Sequence, residues 1–235
     1  MKEFVLFAVI LTYLLPANGM VIDCTFKISN YSILPDIYIC HAKAMFLLDA
    51  DDTIQYVFLN HIQGKKSSDV TGLNLTNQAL PTQTIPKKIR DHFPNLKVLD
   101  LKSSSINQIS HDDISPLPAL QILILWNNSI KTLDGNVFAQ NINLIYIDFE
   151  SNALTNTGTK LLAPLISLKY AYFQNNICTN SFANNDTAIE KFKVQLSSNC
   201  PPSFDMLIGE ILENTIFLNK ITSIITEQIN AQPEG

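Results

Sequence analysis

The sequence predicts an α/β-type solenoid, a coil in which each turn adds one short strand to a parallel β-sheet. Three observations support this prediction. An apolar frame recurs along the middle of the chain, four cysteines lie in two pairs near the two ends, and the C-terminal segment has a helical pattern of apolar residues. With 235 residues, 46% hydrophobic and 16% charged, the chain can bury such a core and is not expected to be disordered.

The apolar frame keeps a constant spacing. Units with matching apolar positions, spaced 24 residues apart, start at Leu96, Leu120, Leu144 and Leu168. An upstream unit starts at Val70, 26 residues before the first of these, and a shorter, weaker unit starts at Ile54. Chance seldom keeps phase over so many units, so the spacing predicts a repeat architecture.

Each unit follows the frame L-x-x-L-x-L-x-x-N-x-L, as in the segment LQILILWNNSI. The central L-x-L predicts a short strand whose alternate side chains point into the core, with strands stacked about 4.8 Å apart. An asparagine amide suits the bend after the strand, because it can satisfy backbone groups that no strand pairs with. Asn128, Asn152 and Asn176 occupy this position. Gln78 and Ser104 replace it in earlier units, where we expect a less regular ladder.

This frame resembles the leucine-rich repeat. The resemblance implies a right-handed coil over residues 54–177, with the parallel sheet on its concave face and the leucines, isoleucines and Phe149 inside. A coil of this kind exposes apolar surface at both of its ends, so terminal caps are expected to cover them.

The four cysteines lie where such caps belong. Cys24 and Cys40 fall in the predicted N-terminal cap, residues 20–53, in a segment that could form a hairpin. Cys178 and Cys200 fall in the predicted C-terminal cap, residues 178–202, around the predicted helix DTAIEKFKVQL. Four cysteines allow three pairings. Because a crossed pair would have to span the whole stack, we expect the local bridges Cys24–Cys40 and Cys178–Cys200, each stabilising by roughly 3 kcal/mol in the chain-entropy model.

Residues 203–235 form a predicted C-terminal helix and tail outside the repeats. Apolar residues fall on one face at a spacing of three to four; they are Leu207, Ile211, Leu218, Ile221 and Ile225. Such a stripe needs a partner. Two interpretations remain open: the helix folds back onto the solenoid, or it pairs with the helix of a second chain as a dimer.

The first nineteen residues have the layout of a secretory signal peptide. Lys2 precedes an apolar run from Phe4 to Leu15, and Pro16 and small residues follow. The alternative is a buried N-terminal helix. No other segment is long and apolar enough to suggest a transmembrane span. We therefore expect a secreted, extracellular protein without a transmembrane segment. The net charge of -5 argues against nucleic acid as a partner.

No motif in the sequence predicts catalysis, a metal or a cofactor. The four histidines, His41, His61, His92 and His111, are scattered and form no pair with metal-ligand spacing. The sequence also lacks a G-x-S-x-G motif, a glycine-rich phosphate loop and C-x-x-C. The segment His111-Asp112-Asp113 fits a solvated turn better than a metal site. We expect a protein that is not an enzyme.

The residues that flank the inward leucines are expected to form a ligand-binding surface on the concave face. The candidates are Tyr56, Phe58, Asp100, Ile122, Ile124, Trp126, Tyr146, Asp148, Glu150, Tyr170 and Tyr172. Large aromatic side chains beside carboxylates are typical of protein-binding patches, whereas a solvated sheet face is mostly polar. The alternative is that the C-terminal helix folds over this face and hides it.

Four N-glycosylation sequons occur, at Asn30, Asn74, Asn127 and Asn185. A glycan on Asn74 would lie in the concave face, and a glycan on Asn127 would lie at its edge beside Trp126. Each is an expected acceptor in a secreted chain.

The combination of caps and repeats is similar to the short secreted leucine-rich-repeat proteins of insects. The segments that carry this similarity are Y-I-C at the end of the first cysteine pair, HIQGKKSSDVTGLNL, FPNLKVLDL and NNIC. The resemblance implies a binding protein that recognises an extracellular protein ligand, with distant relatives acting in innate immunity and pairing through C-terminal coiled coils. The alternative function is a structural or assembly role, in which the helix joins copies of the chain or matrix components.

Overall fold

A computed structural model describes residues 19–31, 33–47 and 51–230. The predicted signal peptide, apart from Gly19, and the tail 231–235 lie outside the described residues. The strands are β1 (Met20–Tyr31), β2 (Leu34–Leu47), β3 (Ile54–Phe58), β4 (Gly72–Asn74), β5 (Val98–Asp100), β6 (Ile122–Ile124), β7 (Thr132–Leu133), β8 (Tyr146–Asp148), β9 (Asn156–Thr157), β10 (Tyr170–Tyr172) and β11 (Phe182–Ala183). The helices are α1 (Ile89–His92), α2 (His111–Ile114), α3 (Asp186–Asn199) and α4 (Phe204–Asn230), with a 3-10 turn at Ser67–Asp69.

The repeats form the predicted parallel sheet. Strands β4, β5, β6, β8 and β10 lie side by side in chain order, and each is paired in parallel with the next. The central residues of these strands align in register and are fully buried; they are Leu73, Leu99, Leu123, Ile147 and Ala171. The prediction that the L-x-L leucines face the core is confirmed.

A line of phenylalanines fills the core at its C-terminal end. The ring centroids of Phe138 and Phe149 are 6.1 Å apart, those of Phe149 and Phe173 are 5.2 Å apart, and those of Phe173 and Phe192 are 5.3 Å apart. Phe192 belongs to α3, so the aromatic packing continues from the last repeat into the C-terminal cap. Contacts of this kind add to the apolar burial of each ring.

The asparagines form a ladder along the bend after the strands. Asn152 Nδ2 donates to Leu125 O at 2.9 Å and to Phe149 O at 3.1 Å, while its Oδ1 accepts from Ile130 N at 3.0 Å. Asn128 and Asn176 make the equivalent bonds in their own units. One residue before this position, the backbone has positive φ in each of the five units from Val70 onward, at Asn77, Ser103, Asn127, Ser151 and Asn175. Asparagine tolerates this left-handed conformation, which turns the chain out of the strand.

The ladder continues into the unit that starts at Leu96, where a serine replaces the asparagine. Ser104 Oγ donates to Leu75 O at 2.8 Å, and Ser104 N donates to Asn128 Oδ1 at 3.0 Å. The shorter serine therefore reaches one carbonyl of the preceding unit and leaves its own backbone N–H to the next asparagine. This agrees with the expected loss of regularity at that position.

The N-terminal cap differs from the expected stacking order. The unit at Ile54 was expected to precede the unit at Val70 directly, but the order at this end of the sheet is β4-β2-β1-β3. The hairpin of β1 and β2 thus separates β3 from the other repeat strands. The hairpin has period-two burial, with Met20, Ile22, Cys24 and Phe26 facing the core, so it serves as two strands of the sheet rather than as a lid over its end.

Both disulfides join the predicted partners. Cys24 on β1 bonds Cys40 on β2, and Cys178 after the last repeat bonds Cys200 at the end of α3. Asn185 caps α3, since its side chain accepts from Ala188 N at 2.9 Å.

Helix α4 contacts the solenoid through polar side chains. Glu210 accepts from Thr159 N at 3.0 Å and from Thr159 Oγ1 at 2.8 Å, and Glu213 accepts from Asn136 Nδ2 at 3.0 Å. These partners follow β7 and β9, so these contacts place α4 against the loops and not over the strands that carry the concave face. Leu207, at 39% exposure, is among the less exposed apolar residues of its face. None of the helices in the described ranges meets the length and hydropathy needed to cross a bilayer.

Candidate functional site

The concave face of the sheet carries two rows of side chains that flank the buried leucine row. Strand pairing aligns the first row as Ile39, Gly72, Val98, Ile122, Tyr146 and Tyr170. It aligns the second row as His41, Asn74, Asp100, Ile124, Asp148, Tyr172 and Phe182. Because successive residues of a strand point to opposite sides, both rows lie on the face away from the core.

The N-terminal half of this face is covered by the end of the hairpin. We call residues 29–37 the hairpin tip; Ser32 within it lies outside the described residues. A separate apolar cluster joins Ile37 and Ile39 of β2 to Val98 and Ile122, all of them at most 4% exposed. The side chains of Tyr31, Ile33, Leu34, Ile124 and Tyr146 pack around this cluster.

Gly72 makes this close approach of β2 to the face possible. A Cβ atom on Gly72 would lie 2.7 Å from Ile37 Cγ2 and 3.0 Å from Ile39 Cγ1. Both distances are shorter than an ordinary van der Waals contact. The missing side chain therefore leaves room for the two isoleucines to reach Val98.

Two of the predicted ligand-contacting residues are buried instead of open to solvent. Ile122 is 2% exposed and Asp100 is 5% exposed, because the hairpin tip lies over them. Asp100 accepts hydrogen bonds from Tyr31 Oη at 3.4 Å, Asn74 Nδ2 at 3.0 Å, Thr76 Oγ1 at 3.2 Å and Lys102 N at 3.3 Å. Burial raises the pKa of this carboxyl, and the hydrogen bonds from Lys102 N, Thr76 and Tyr31 lower it, as does the charge of Lys102.

The C-terminal half of the face carries an aromatic group, which we call the open aromatic surface: Tyr146, Tyr170, Tyr172 and Phe182. Tyr146 lies 6.0 Å from Tyr170 and 5.3 Å from Tyr172 between ring centroids. Tyr172 stacks on Phe182 at 6.0 Å with an interplanar angle of 2°. Tyr146, Tyr170 and Tyr172 keep partial exposure, and Phe182 is 53% exposed. Strand pairing thus brings together the predicted tyrosines of two adjacent repeats.

Phe182 is the residue of this surface that the repeat frame does not identify. The frame ends near Cys178, and Phe182 follows in the C-terminal cap. Strand β11 runs antiparallel to β10 and pairs Phe182 with Tyr172. The sequence shows Phe182 as a phenylalanine shortly after the last repeat, but the repeat frame does not predict that the chain folds back there to pair β11 with β10.

Carboxylates lie within the open aromatic surface. Burial raises the pKa of Asp148 from 3.8 to about 6, and the nearby charge of Glu150 acts in the same direction. Asp148 Oδ1 accepts from Glu150 N at 2.9 Å, and its Oδ2 accepts from Tyr146 Oη at 3.4 Å. Burial and the charge of Asp148 also raise the pKa of Tyr146 and of Tyr172. Among the described residues, neither Asp148 nor Glu150 forms an ion pair, so this part of the face is acidic.

Trp126 lies two residues after the end of strand β6. Its ring is partly exposed, and Lys102 Nζ lies 5.8 Å from the ring centroid, within the range of a cation–π contact. The place of Trp126 in a ligand-binding surface stays a prediction.

Tyr56 and Phe58 do not join this site. They lie on β3, and the hairpin strands β1 and β2 separate β3 from the other repeat strands. Their rings contact each other with centroids 5.3 Å apart at the edge of the sheet. Their predicted place in one continuous ligand surface is therefore wrong, because the hairpin is inserted into the sheet.

The sequon asparagines differ in the hydrogen bonds that their side chains make. Asn74 Nδ2 donates to Asp100 and Asn74 Oδ1 accepts from Thr76 N at 3.0 Å within the concave row, so a glycan on Nδ2 would compete with the bond to Asp100. Asn127 is exposed and donates to Ser103 Oγ at 2.9 Å. Asn30 accepts from Asp36 N at 2.9 Å, and Asn185 caps α3. Glycosylation of all four stays a prediction.

The described part of the chain contains no group of three or more histidine, cysteine or acidic side chains that could hold a metal ion. His111, for example, contacts a backbone carbonyl, with Nδ1 3.0 Å from Asn136 O. The concave face offers aromatic contact area, hydrogen-bonding hydroxyls and negative charge.

Comparison with known proteins agrees with the repeat frame. Residues 118–176 match the family model described as Leucine rich repeat, and no curated protein matches. A chain of the Toll–Spatzle complex of Drosophila, "a molecular hub in Drosophila development and innate immunity", is 20% identical, with a TM-score of 0.44. That match covers 53% of this chain and 17% of the other.

The APL1 leucine-rich repeat domain is a second similar structure. It is 17% identical, with a TM-score of 0.45 over 66% of this chain and 36% of the other. The matched regions thus span well under two thirds of either solved chain. The fold of the present chain is a leucine-rich-repeat solenoid with a parallel sheet and disulfide-bonded caps, and residues 118–176 match the family's own model.

Proposed function

We propose that this chain is a secreted, non-enzymatic binding protein that recognises an extracellular protein ligand through the open aromatic surface of its concave face. The observation that carries the proposal is the row of Tyr146, Tyr172 and Phe182, whose rings contact one another yet keep partial exposure. Aromatic side chains on a rigid sheet give large contact area at a low cost in conformational entropy, which is typical of interface hot spots.

The charge of the surface indicates the kind of ligand. Asp148 and Glu150 lie among the rings and form no ion pair within the described ranges. A ligand that presents lysine or arginine beside apolar side chains would match both the charge and the aromatic area. Two intramolecular disulfides also suit an oxidising, extracellular compartment. A role in innate-immune recognition is the physiological setting that we propose.

Affinity capture from extracellular fluid tests this proposal. The wild-type protein would be compared with the double variant Tyr172→Ala/Phe182→Ala, which removes two stacked rings from the surface. We expect a ligand that the wild type captures and the variant does not. Once this ligand is purified, the dissociation constant of the variant should be higher by about 30-fold or more, as for the loss of a hot spot of about 2 kcal/mol.

The matched control is Ile166→Ala, which removes an apolar side chain that is 82% exposed and lies between β9 and β10, outside the concave rows. This variant should capture the ligand as the wild type does. The melting temperature of the double variant should also stay close to that of the wild type, because the rings are not part of the core. Equal capture by all three proteins would contradict the proposed surface.

A structural or assembly role through α4 is a second candidate, and the exposure of the helix favours it. Its apolar side chains stay open to solvent; the exposed ones include Ile211 at 58%, Leu212 at 57%, Ile216 at 67%, Phe217 at 62% and Leu218 at 62%. Exposed apolar side chains on this scale favour aggregation unless the helix meets a partner. We propose that it pairs with the same helix of a second chain.

Light scattering over a range of concentrations tests the pairing, on the mature chain and on a chain that ends at Pro202. A dimer that disappears on truncation supports pairing. A monomer throughout, with a truncated form that is less stable or newly aggregation-prone, would instead indicate that the solenoid itself depends on α4. A stable, well-behaved monomer in both forms would contradict both roles for the helix.

A further inference from the structure

The hairpin tip behaves as an occupant of the concave face. Tyr31, Ile33 and Leu34 pack onto the cluster that contains Val98 and Ile122, and Tyr31 Oη donates to the buried carboxylate of Asp100. Val98 and Ile122 belong to the first concave row, whose next members are Tyr146 and Tyr170. The surface below the tip and the open aromatic surface therefore lie along the same row of side chains. The tip covers the N-terminal half of this row.

The tip is held less firmly than the base of the hairpin. At the base, the Cys24–Cys40 bridge, the pairing of Ile39–His41 with β4 and the bond from Thr71 N to Tyr38 O at 2.8 Å fix the strands to the repeats. Beyond Tyr38, the hydrogen bonds that the structure shows between described tip residues and the repeats all involve the Tyr31 hydroxyl, which donates to Asp100 at 3.4 Å and also interacts with the Asn74 side chain. The register of β1 and β2 is also irregular between Ser29 and Tyr31. Segments with few bonds open at lower free energy than the strands that anchor them.

We propose that the surface beneath the hairpin tip is a masked extension of the binding site, which accepts a partner segment that presents an aromatic hydroxyl beside branched aliphatic side chains. This inference rests on the proposed function and adds the kind of partner side chains that the N-terminal half of the concave face would contact. The tip itself shows the required chemistry: a tyrosine hydroxyl on the Asp100 carboxylate, with isoleucine and leucine on Val98 and Ile122.

Two features link the masked part to the open part. Ile124 and Tyr146 pack against the covered cluster, and Tyr146 also contacts Tyr172 of the open aromatic surface. The second concave row carries a carboxylate in each half, Asp100 below the tip and Asp148 in the open part, with Ile124 between them. A partner that displaces the tip can therefore bury one uninterrupted row of side chains.

Thiol labelling of a cysteine placed below the tip measures this opening without any external ligand. In the full mature chain, Ile122→Cys reports exposure of the covered row, and Leu123→Cys, which faces the core, reports global unfolding. Each is combined with an intact tip or with the tip variant Tyr31→Ala/Leu34→Ser. We expect the tip variant to speed labelling of the cysteine at position 122 by about tenfold or more, as weaker burial favours opening. Labelling at position 123 should stay slow in both, which also shows that the tip variant is folded.

The class of partner is tested with a synthetic peptide of residues 28–38, ISNYSILPDIY, added at about millimolar concentration, the effective concentration typical of a tethered segment. The peptide should slow labelling at position 122 in the tip variant in a saturable way, and its Tyr31→Ala form should protect less. The inference is overturned if the tip variant leaves the labelling rate unchanged, if position 122 labels only as fast as position 123, or if the peptide gives no protection. These outcomes do not involve Tyr172 or Phe182, so they fail or succeed separately from the test of the open aromatic surface.

Discussion

Replacing Asp148 by asparagine should stabilise the protein at neutral pH, which is an unusual result for a half-buried polar residue. The fold raises the pKa of this carboxyl from its ordinary value of 3.8 to about 6, chiefly by burial. The folded state therefore favours the protonated form. Stability is lost as the pH rises through the window from 3.8 to about 6, and the full penalty is present above it.

The structure sets the size of this effect. A change of the pKa from 3.8 to about 6 corresponds to an upper limit of about 3 kcal/mol. Because the side chain keeps some contact with solvent, we expect about 1–2 kcal/mol to be measured. An asparagine keeps the acceptor for Glu150 N and can donate to Tyr146 Oη, so the substitution removes the charge with little change in hydrogen bonding.

Urea unfolding at about pH 7.5 and about pH 4 measures the effect, because most of the linkage contribution is absent at the lower pH. Asp148→Asn should raise the free energy of unfolding at the higher pH and change it much less at the lower pH. The exposed carboxylate of Asp112 gives the control: Asp112→Asn should leave unfolding nearly unchanged at both. A variant that is less stable than the wild type at pH 7.5, or equally affected at both pH values, would show that burial of this charge costs nothing.

Two further predictions concern the framework of the solenoid. Asn152→Ala should destabilise by about 3 kcal/mol or more, because it leaves Leu125 O, Phe149 O and Ile130 N without their buried partner. The control Asn143→Ala loses one exposed hydrogen bond and should cost less than about 1 kcal/mol. Equal losses of stability in urea unfolding would refute the structural role of the asparagine ladder. Gly158→Ala should destabilise by about 2–3 kcal/mol, because the new Cβ would lie 2.5 Å from Gly135 Cα in the neighbouring turn. Gly209→Ala lies in the second turn of α4, where the new Cβ meets nothing within 4 Å, and it should instead raise the melting temperature slightly. A destabilised Gly209 variant or a tolerated Gly158 variant would contradict this packing.

The sequence by itself determines the repeats, their core and their chemistry at the bends. Periodicity is sufficient here because each unit contacts mainly its neighbours, so the burial of Leu99, Leu123 and Ile147 follows from position within one unit. The disulfide pairs follow from the same one-dimensional order, since only partners at the same end can meet. The composition of the concave rows is also readable, because strand alternation assigns Tyr146 and Tyr172 to the face away from the leucines.

The tertiary structure decides which part of that face is open. Tyr31 and Asp100 are 69 residues apart in sequence, and nothing in the repeat frame predicts that the hairpin tip packs over strands β5 and β6. The insertion of the hairpin between β3 and β4 likewise places Tyr56 far from the other aromatic residues, and the return of β11 adds Phe182 to them. Each of these features depends on where a cap, which has no repeating pattern, packs against the solenoid. Local periodicity fixes burial within a unit, whereas long-range packing of the caps selects which side chains remain for a partner.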